Sequence, residues 1–251
     1  MKIREIEARK ILTISRISEK MYSLNPYIGC QHACKYCYAT FMKRFTGHKE
    51  MWGDFIDIKV NSPFLLSKEI RCARKWEIML SSVTDPYQPL EEKYALTRRC
   101  LEILLEYQYP VSILTKSSLI LRDINLLTHF EKLEAGLTIT TDDENIKKIF
   151  EPYSSSIYDR IKTLEILHHH KIKTYAFIGP ILPLNPENLA KKLWDIIDFV
   201  YIDRMNYCYK IVNLYRKYGL ENYLTINYFY KISQELKKLF DLKGIEVRIL
   251  F

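Results

Sequence analysis

A chain of 251 residues with 48% apolar and 27% charged residues carries enough apolar side chain for a packed core, and its 7 Gly and 9 Pro exclude a collagenous or linker-rich protein. The formal net charge of +8 permits an anionic partner without demanding one, because surplus Lys also serves solubility. No apolar run nears the roughly 20 residues that cross a bilayer, and the opening MKIREIEARKIL mixes charges where a secretion signal would be apolar. The expectation is a single-domain, soluble, cytoplasmic protein with no membrane partner.

In chain order, the first informative segment is a loop. Cys30, Cys34 and Cys37 crowd into eight residues behind Pro26 and Gly29, whereas Cys72, Cys100 and Cys208 stand alone. A basic stretch, Lys43-Arg44 to His48-Lys49, follows; it reads as a solvated helix face or as a guide for an anionic substrate. Strand-like runs then come at Ile78–Val83, Val111–Thr115, Leu137–Thr140, Thr174–Ile178, Phe199–Asp203 and Ile245–Leu250. They are short, β-branched or aromatic, and mostly apolar on both faces, as strands covered on both sides must be. Amphipathic stretches separate them. Thr141 with Glu144 forms a capping-box pattern. Asn185-Pro186-Glu187 sets an N-cap and a first-turn proline ahead of Leu189, Leu193, Ile196 and Ile197. His168-His169-His170 closes a helical pattern from Ile157 and reads as a helix terminus rather than a metal site. Strand–helix alternation predicts a parallel sheet, rolled into a full or partial barrel or left as an open doubly wound sheet. Its ligand site belongs at the C-terminal strand ends, where the sequence sets Thr84-Asp85, Lys116, Thr138, Thr140, Gly179 and Asp203-Arg204.

The cysteine spacing is C-x3-C-x2-C. Thiolates are soft ligands suited to zinc or to iron–sulfur clusters, and three ligands rather than four leave one position of a cubane open. Other readings of the same residues are a zinc site completed by His32 or His48, a redox pair of Cys34 and Cys37, and a small-residue stripe on a buried helix.

With Tyr36 before the third cysteine, this motif resembles the signature of the radical S-adenosylmethionine superfamily. Thr84-Asp85-Pro86-Tyr87-Gln88-Pro89, Leu114-Thr115-Lys116-Ser117, Arg122-Asp123, Thr138-Ile139-Thr140-Thr141, Glu151-Pro152 and Gly179-Pro180-Ile181-Leu182-Pro183 are similar to the branch typified by spore photoproduct lyase, over roughly Leu24 to Pro183. The resemblance implies a partial (β/α)6 TIM-like barrel as core (21–205). An N-terminal extension (1–20) precedes it, and C-terminal helices with a last strand closing the barrel (206–251) follow. It implies a [4Fe–4S] cluster held by Cys30, Cys34 and Cys37, with S-adenosylmethionine at its open iron and a ferredoxin- or flavodoxin-type electron donor. The expected reaction is reductive cleavage to a 5′-deoxyadenosyl radical that abstracts hydrogen from substrate, in a lyase-like or other radical reaction. Tyr36 and Tyr38 would flank the cofactor, and Thr84, Lys116, Thr138 and Gly179 would line its pocket.

One position departs from that branch. The lyase carries a hydrogen-returning cysteine two residues before the equivalent of Thr84, and here Ser82 stands there. Cys208, between Tyr207 and Tyr209, is a candidate substitute or a small buried residue. The substrate is left open. The C-terminal fifth, 201–251, holds nine Lys/Arg, five Asp/Glu and eight of 19 Tyr, a composition compatible with nucleic-acid stacking and with amphipathic helices alike. A peptide or small-metabolite substrate, a zinc-stabilised binding module and a simple electron carrier are the competing readings.

Overall fold

The computed structural model describes residues 1–251. Eleven strands are formed: β1 (Lys2–Ile6), β2 (Leu12–Ile14), β3 (Met21–Leu24), β4 (Tyr27–Ile28), β5 (Phe55–Lys59), β6 (Glu77–Leu80), β7 (Val111–Thr115), β8 (Leu133–Thr138), β9 (Lys173–Ile178), β10 (Phe199–Ile202) and β11 (Glu246–Ile249). Eight of them make one sheet in the order β11-β10-β9-β8-β7-β6-β3-β2, with β1, β5 and β4 in a smaller one. From β3 to β11 the large sheet is parallel, and only β2 runs antiparallel to its neighbour. The helices are α1 (Ser62–Glu69), α2 (Leu90–Tyr94), α3 (Leu96–Glu106), α4 (Ile124–Leu127), α5 (Glu144–Phe150), α6 (Ile157–His169), α7 (Pro186–Leu193), α8 (Val212–Lys217) and α9 (Ile226–Asp241). None is long and apolar enough to cross a membrane.

Period-2 alternation sorts each strand's side chains between two faces. Ile78, Leu80, Ile113, Ala135, Leu137, Ala176, Ile178, Val200 and Ile202 pack in one cluster with Leu101, Leu164, Leu189 and Leu236 from the helices. The opposite face is aromatic towards the β9–β10 side. Tyr175 stacks on Phe199 with ring centres 5.0 Å apart, and Tyr201 meets both edge-on at 5.5 Å. The Tyr175 hydroxyl donates to the Ile113 carbonyl at 3.0 Å. Gly136 makes this possible: a Cβ there would run into the Tyr175 ring. Gly136→Ala is therefore expected to cost about 1–3 kcal/mol, as overpacking does, read as a lower midpoint in denaturant at unchanged slope.

The sheet is an open partial barrel, as the resemblance implied. β11 adds one more strand to its edge beside β10, so the C-terminal segment extends the sheet and does not close it. All six expected strands are present. The third starts four residues earlier than its sequence pattern, because β8 is paired on both sides from Leu133 onward and that pairing overrides the weak strand propensity of Ala135 and Gly136. β1 to β5 were not foreseen; most are too short to show a period, and β1 is mostly exposed. Asn185 caps α7 as expected, accepting from the Asn188 N–H at 2.9 Å, but the helix stops at Leu193, before Ile196. The Thr141–Glu144 box does not form. Asp143 caps α5, Thr141 Oγ1 donates to the Pro183 carbonyl at 2.6 Å, and Glu144 instead accepts from the Ile157 N–H at 2.5 Å.

Candidate functional site

Cys30 to Cys37 form the expected loop between β4 and a 3-10 turn at Tyr38–Phe45, which removes the helix-stripe reading. The loop lies hard against its neighbours. Gly29 adopts φ +92°, and a Cβ on it would strike the Phe55 carbonyl. Gly53, at φ +98°, leaves room for Ala33 in the same way. Only glycine meets both demands without strain.

The C-terminal ends of β6 and β7 grip this loop. Thr84 Oγ1 donates to the Gly29 carbonyl at 2.5 Å and accepts from Gln88 at 3.1 Å. Gln88 Oε1 accepts from the Gln31 N–H at 3.0 Å. Asp85 is buried and accepts from Thr115 Oγ1 at 2.5 Å, and from the Lys116 and Tyr87 N–H groups at 2.9 Å each. His32 faces it at 3.2 Å. Burial alone would raise the Asp85 pKa, but His32, Thr115 and the Lys116 N–H hold it down at about 2. A depressed carboxylate stabilises the fold above its unfolded pKa, near 3.9, and that contribution is lost as pH falls through the folded value. The loss of unfolding free energy between pH 5 and pH 2 is expected to be about 2 kcal/mol smaller in Asp85→Asn than in the parent chain, by denaturant titration at both pH values.

Across the loop, Glu151 and Arg160 form a fully buried ion pair at 2.6 Å. Arg160 also donates to the carbonyls of Thr138 at 2.9 Å and Ser155 at 3.0 Å, and to Ser154 Oγ. Glu151 accepts from Thr140 Oγ1 at 3.0 Å and from the Tyr36 hydroxyl. Burial raises the Glu151 pKa, yet Arg160 and Lys116 outweigh it and the carboxyl sits below its usual range. Lys116 is half-buried with Nζ 5.7 Å from the Tyr36 ring centre. Burial works against its charge, but the Cys34 sulfur and Glu151 more than compensate, so its pKa is raised.

The three thiols are free and lie near enough to one another for each charge to disfavour the next. Burial pushes Cys30 far up, with Asp85 adding to it, and pushes Cys34 up to about 12 despite Lys116. Burial raises Cys37 as well, against the Ala39 N–H, Lys116 and the Trp52 indole, which favour its thiolate. That indole N–H is buried and finds no oxygen acceptor. The donor set is thus three sulfurs with cationic and N–H groups around them, which suits a thiolate-held iron–sulfur centre. A single zinc ion fits poorly: no three His, Cys, Asp or Glu side chains converge on one ion position. His32 is committed to Asp85 and His48 to Asp57 and Glu50.

The remaining expected site residues divide. Tyr36 and Lys116 lie close to Cys34, and the buried Thr138 gives its carbonyl to Arg160. Tyr38 is 46% exposed, its hydroxyl donating to the Ser82 carbonyl. The Thr84 hydroxyl is spent on holding the loop. Gly179 sits beyond β9, and a Cβ on it would strike the Phe177 ring. Ser82 Oγ accepts from Asn25 at 3.3 Å, and Cys208 donates to the Met205 carbonyl at 3.2 Å.

The sequence profile of the radical SAM superfamily matches residues 24–199. The chain belongs to that superfamily. It is an enzyme of the radical SAM type. It is 39% identical over 235 residues to an uncharacterized protein of Methanocaldococcus jannaschii, covering 91% of this chain and 84% of that one. It is 27% identical over 163 residues to a radical SAM Nalpha-GlyT isomerase of Pseudomonas phage M6, covering 63% of this chain and 32% of the isomerase. Among solved structures, spore photoproduct lyase complexed with a dinucleoside spore photoproduct superposes with a TM-score of 0.71 at 13% identity, covering 99% of this chain and 82% of the lyase. That likeness is one of fold.

The radical SAM motif was legible in the sequence, but its supports were less so. Glu151 was visible only as part of a motif. Arg160 went unremarked, although it shares the buried stripe of α6 with Ile157, Thr163, Leu164 and Leu167; a charge on an otherwise core-facing stripe was the available signal. Trp52 offered none.

Proposed function

We propose that this enzyme holds a [4Fe–4S] cluster on Cys30, Cys34 and Cys37 and binds S-adenosylmethionine at the iron the protein leaves unligated. Bound in this way, the pair supplies a 5′-deoxyadenosyl radical by one-electron cleavage of the sulfonium, and with it hydrogen abstraction from substrate. The observation that carries the reading is the donor set: three free thiols within one eight-residue loop pinned by two strand ends, with the Lys116 cation beside it. Lys116 is suited to the carboxylate or ribose of the cofactor. Tyr36, fixed by Glu151, shields the cysteine side of the pocket from water. Tyr38, Thr138 and Gly179 line the approach, and Thr84 acts through the loop it holds.

In this reading residues 21–205 carry the chemistry, 1–20 buttress the sheet edge and 206–251 cover the opposite end. A ferredoxin- or flavodoxin-type donor supplies the electron. Ser82 sets the reaction apart from that of the lyase, because an O–H bond is much stronger than an S–H bond and serine does not return a hydrogen atom to a carbon radical. The test is anaerobic reconstitution with iron and sulfide, followed by S-adenosylmethionine and a strong reductant. Uptake of about four irons per chain and release of 5′-deoxyadenosine support the reading; zinc uptake, or a cluster that never cleaves S-adenosylmethionine, overturns it.

A further inference from the structure

Beside the cysteine loop the surface has an unusual make-up. Two segments far apart in sequence meet there, where Lys210 Nζ reaches Thr40 Oγ1 at 3.3 Å. The first, Lys35 to Lys49, contains four Lys/Arg and no Asp or Glu; the second, Arg204 to Lys217, contains another four and again no acid. Large aromatic rings stand out from both. Tyr38 is 46% exposed, Phe41 37%, Phe45 69%, Tyr207 51% and Tyr209 72%. Cations sit over several of them: the Arg44 guanidinium is 5.4 Å from the Phe41 ring centre and 5.3 Å from that of Phe45, and Lys210 lies 5.0 Å from that of Tyr207. Tyr207 holds φ +57°, a left-handed conformation that costs a non-glycine residue energy and is kept where the surroundings demand it. Burial would have been the cheaper fate for rings of this size, and five of them left in water in one place mark a docking surface.

We propose that this rim docks an unpaired nucleic-acid strand, an inference that rests on the cluster reading above and names its substrate class. Exposed rings offer stacking faces to bases that are not already stacked in a duplex, and the Lys and Arg side chains of both segments neutralise phosphates along the strand. Tyr38 joins the rim to the reactive end, being the residue after Cys37. A base stacked on this row is thereby delivered to the mouth of the site. An acidic peptide would answer the charges but leaves the row of rings without a counterpart.

The experiment is fluorescence anisotropy of a labelled 12-residue oligothymidylate, its duplex and an acidic peptide, with anaerobically reconstituted enzyme. The unpaired strand is expected to bind at least about tenfold tighter than the duplex. Its affinity should fall with salt between about 50 and 200 mM, the logarithmic slope steepening by about 0.7 per phosphate contact. Tyr209→Ala and Tyr207→Ala each weaken it by about fivefold or more, the loss of one stacked base, and Arg44→Gln and Lys210→Gln each flatten the slope by about 0.7. No binding at about 50 mM salt, indifference to all four substitutions, or preference for the peptide overturns the inference. Cleavage of S-adenosylmethionine without strand, measured on the same preparation, separates the two readings: cleavage with no strand binding removes the rim proposal alone, and strand binding without cleavage removes the cluster reading.

Discussion

Replacing Arg160 by methionine lowers the unfolding free energy by about 3–5 kcal/mol, the range for breaking a buried ion pair from one side. Glu151 then lies in the interior with no countercharge at 2.6 Å, and the Thr138 and Ser155 carbonyls lose their donor. At about 2–4 °C per kcal/mol for a chain of this size, the thermal midpoint of the metal-free protein falls by about 6–20 °C. Because a buried carboxylate stripped of its ion-pair partner is what costs most, adding Glu151→Gln to Arg160→Met recovers part of the loss. Calorimetry or urea unfolding of the parent chain, both single variants and the double variant reads this directly. A loss below about 1 kcal/mol for Arg160→Met, in the range of a surface pair, would show that the pair does not hold the loop as described.

Alanine at Cys30, Cys34 and Cys37 together is expected to take iron uptake from about four per chain to background and to end 5′-deoxyadenosine formation, while the metal-free protein still unfolds in one cooperative step. The fold has no need of these thiols: the hydrophobic cluster between sheet and helices is built from other residues, and the loop is held by hydrogen bonds of Thr84, Gln88 and Glu151 and by the Asp85–His32 pair, contacts that a cysteine-to-alanine change leaves intact. Each single substitution should be nearly as severe as the triple one, since ligands that act as a unit are far from additive. Iron and sulfide analysis with chromatographic detection of the nucleoside checks this; retained cleavage activity in the triple variant contradicts the ligand assignment.

What the sequence disclosed follows from the range over which each signal acts. β6, β7, β9, β10 and β11 were legible because their apolar runs are local, and the C-x3-C-x2-C loop because its ligands are neighbours. β1 to β4 were not, since strands of two to five residues acquire their identity from partners such as β5 and β6. Thr141 had the right spacing for a cap, yet its hydroxyl was drawn to Pro183, 42 residues away, and Asp143 took the cap instead. The Glu151–Arg160 pair, the hold of Asp85 on the Lys116 backbone and the approach of Trp52 to Cys37 are likewise products of tertiary geometry. The exposed row of rings was foreshadowed only as composition. Its meeting with the segment after the cysteines depends on the chain returning to Thr40 after 170 residues.

The anchoring of the cysteine loop by strand ends also dictates an order of events in the life of the protein. Its restraints come from residues 84 to 88 and 150 to 160, so the nest takes shape only after β6, β7 and β8 have been aligned. In the proposed reading, filling this nest is then a finishing step on a chain already folded, and the metal-free protein is expected to resist proteolysis as an empty but assembled scaffold.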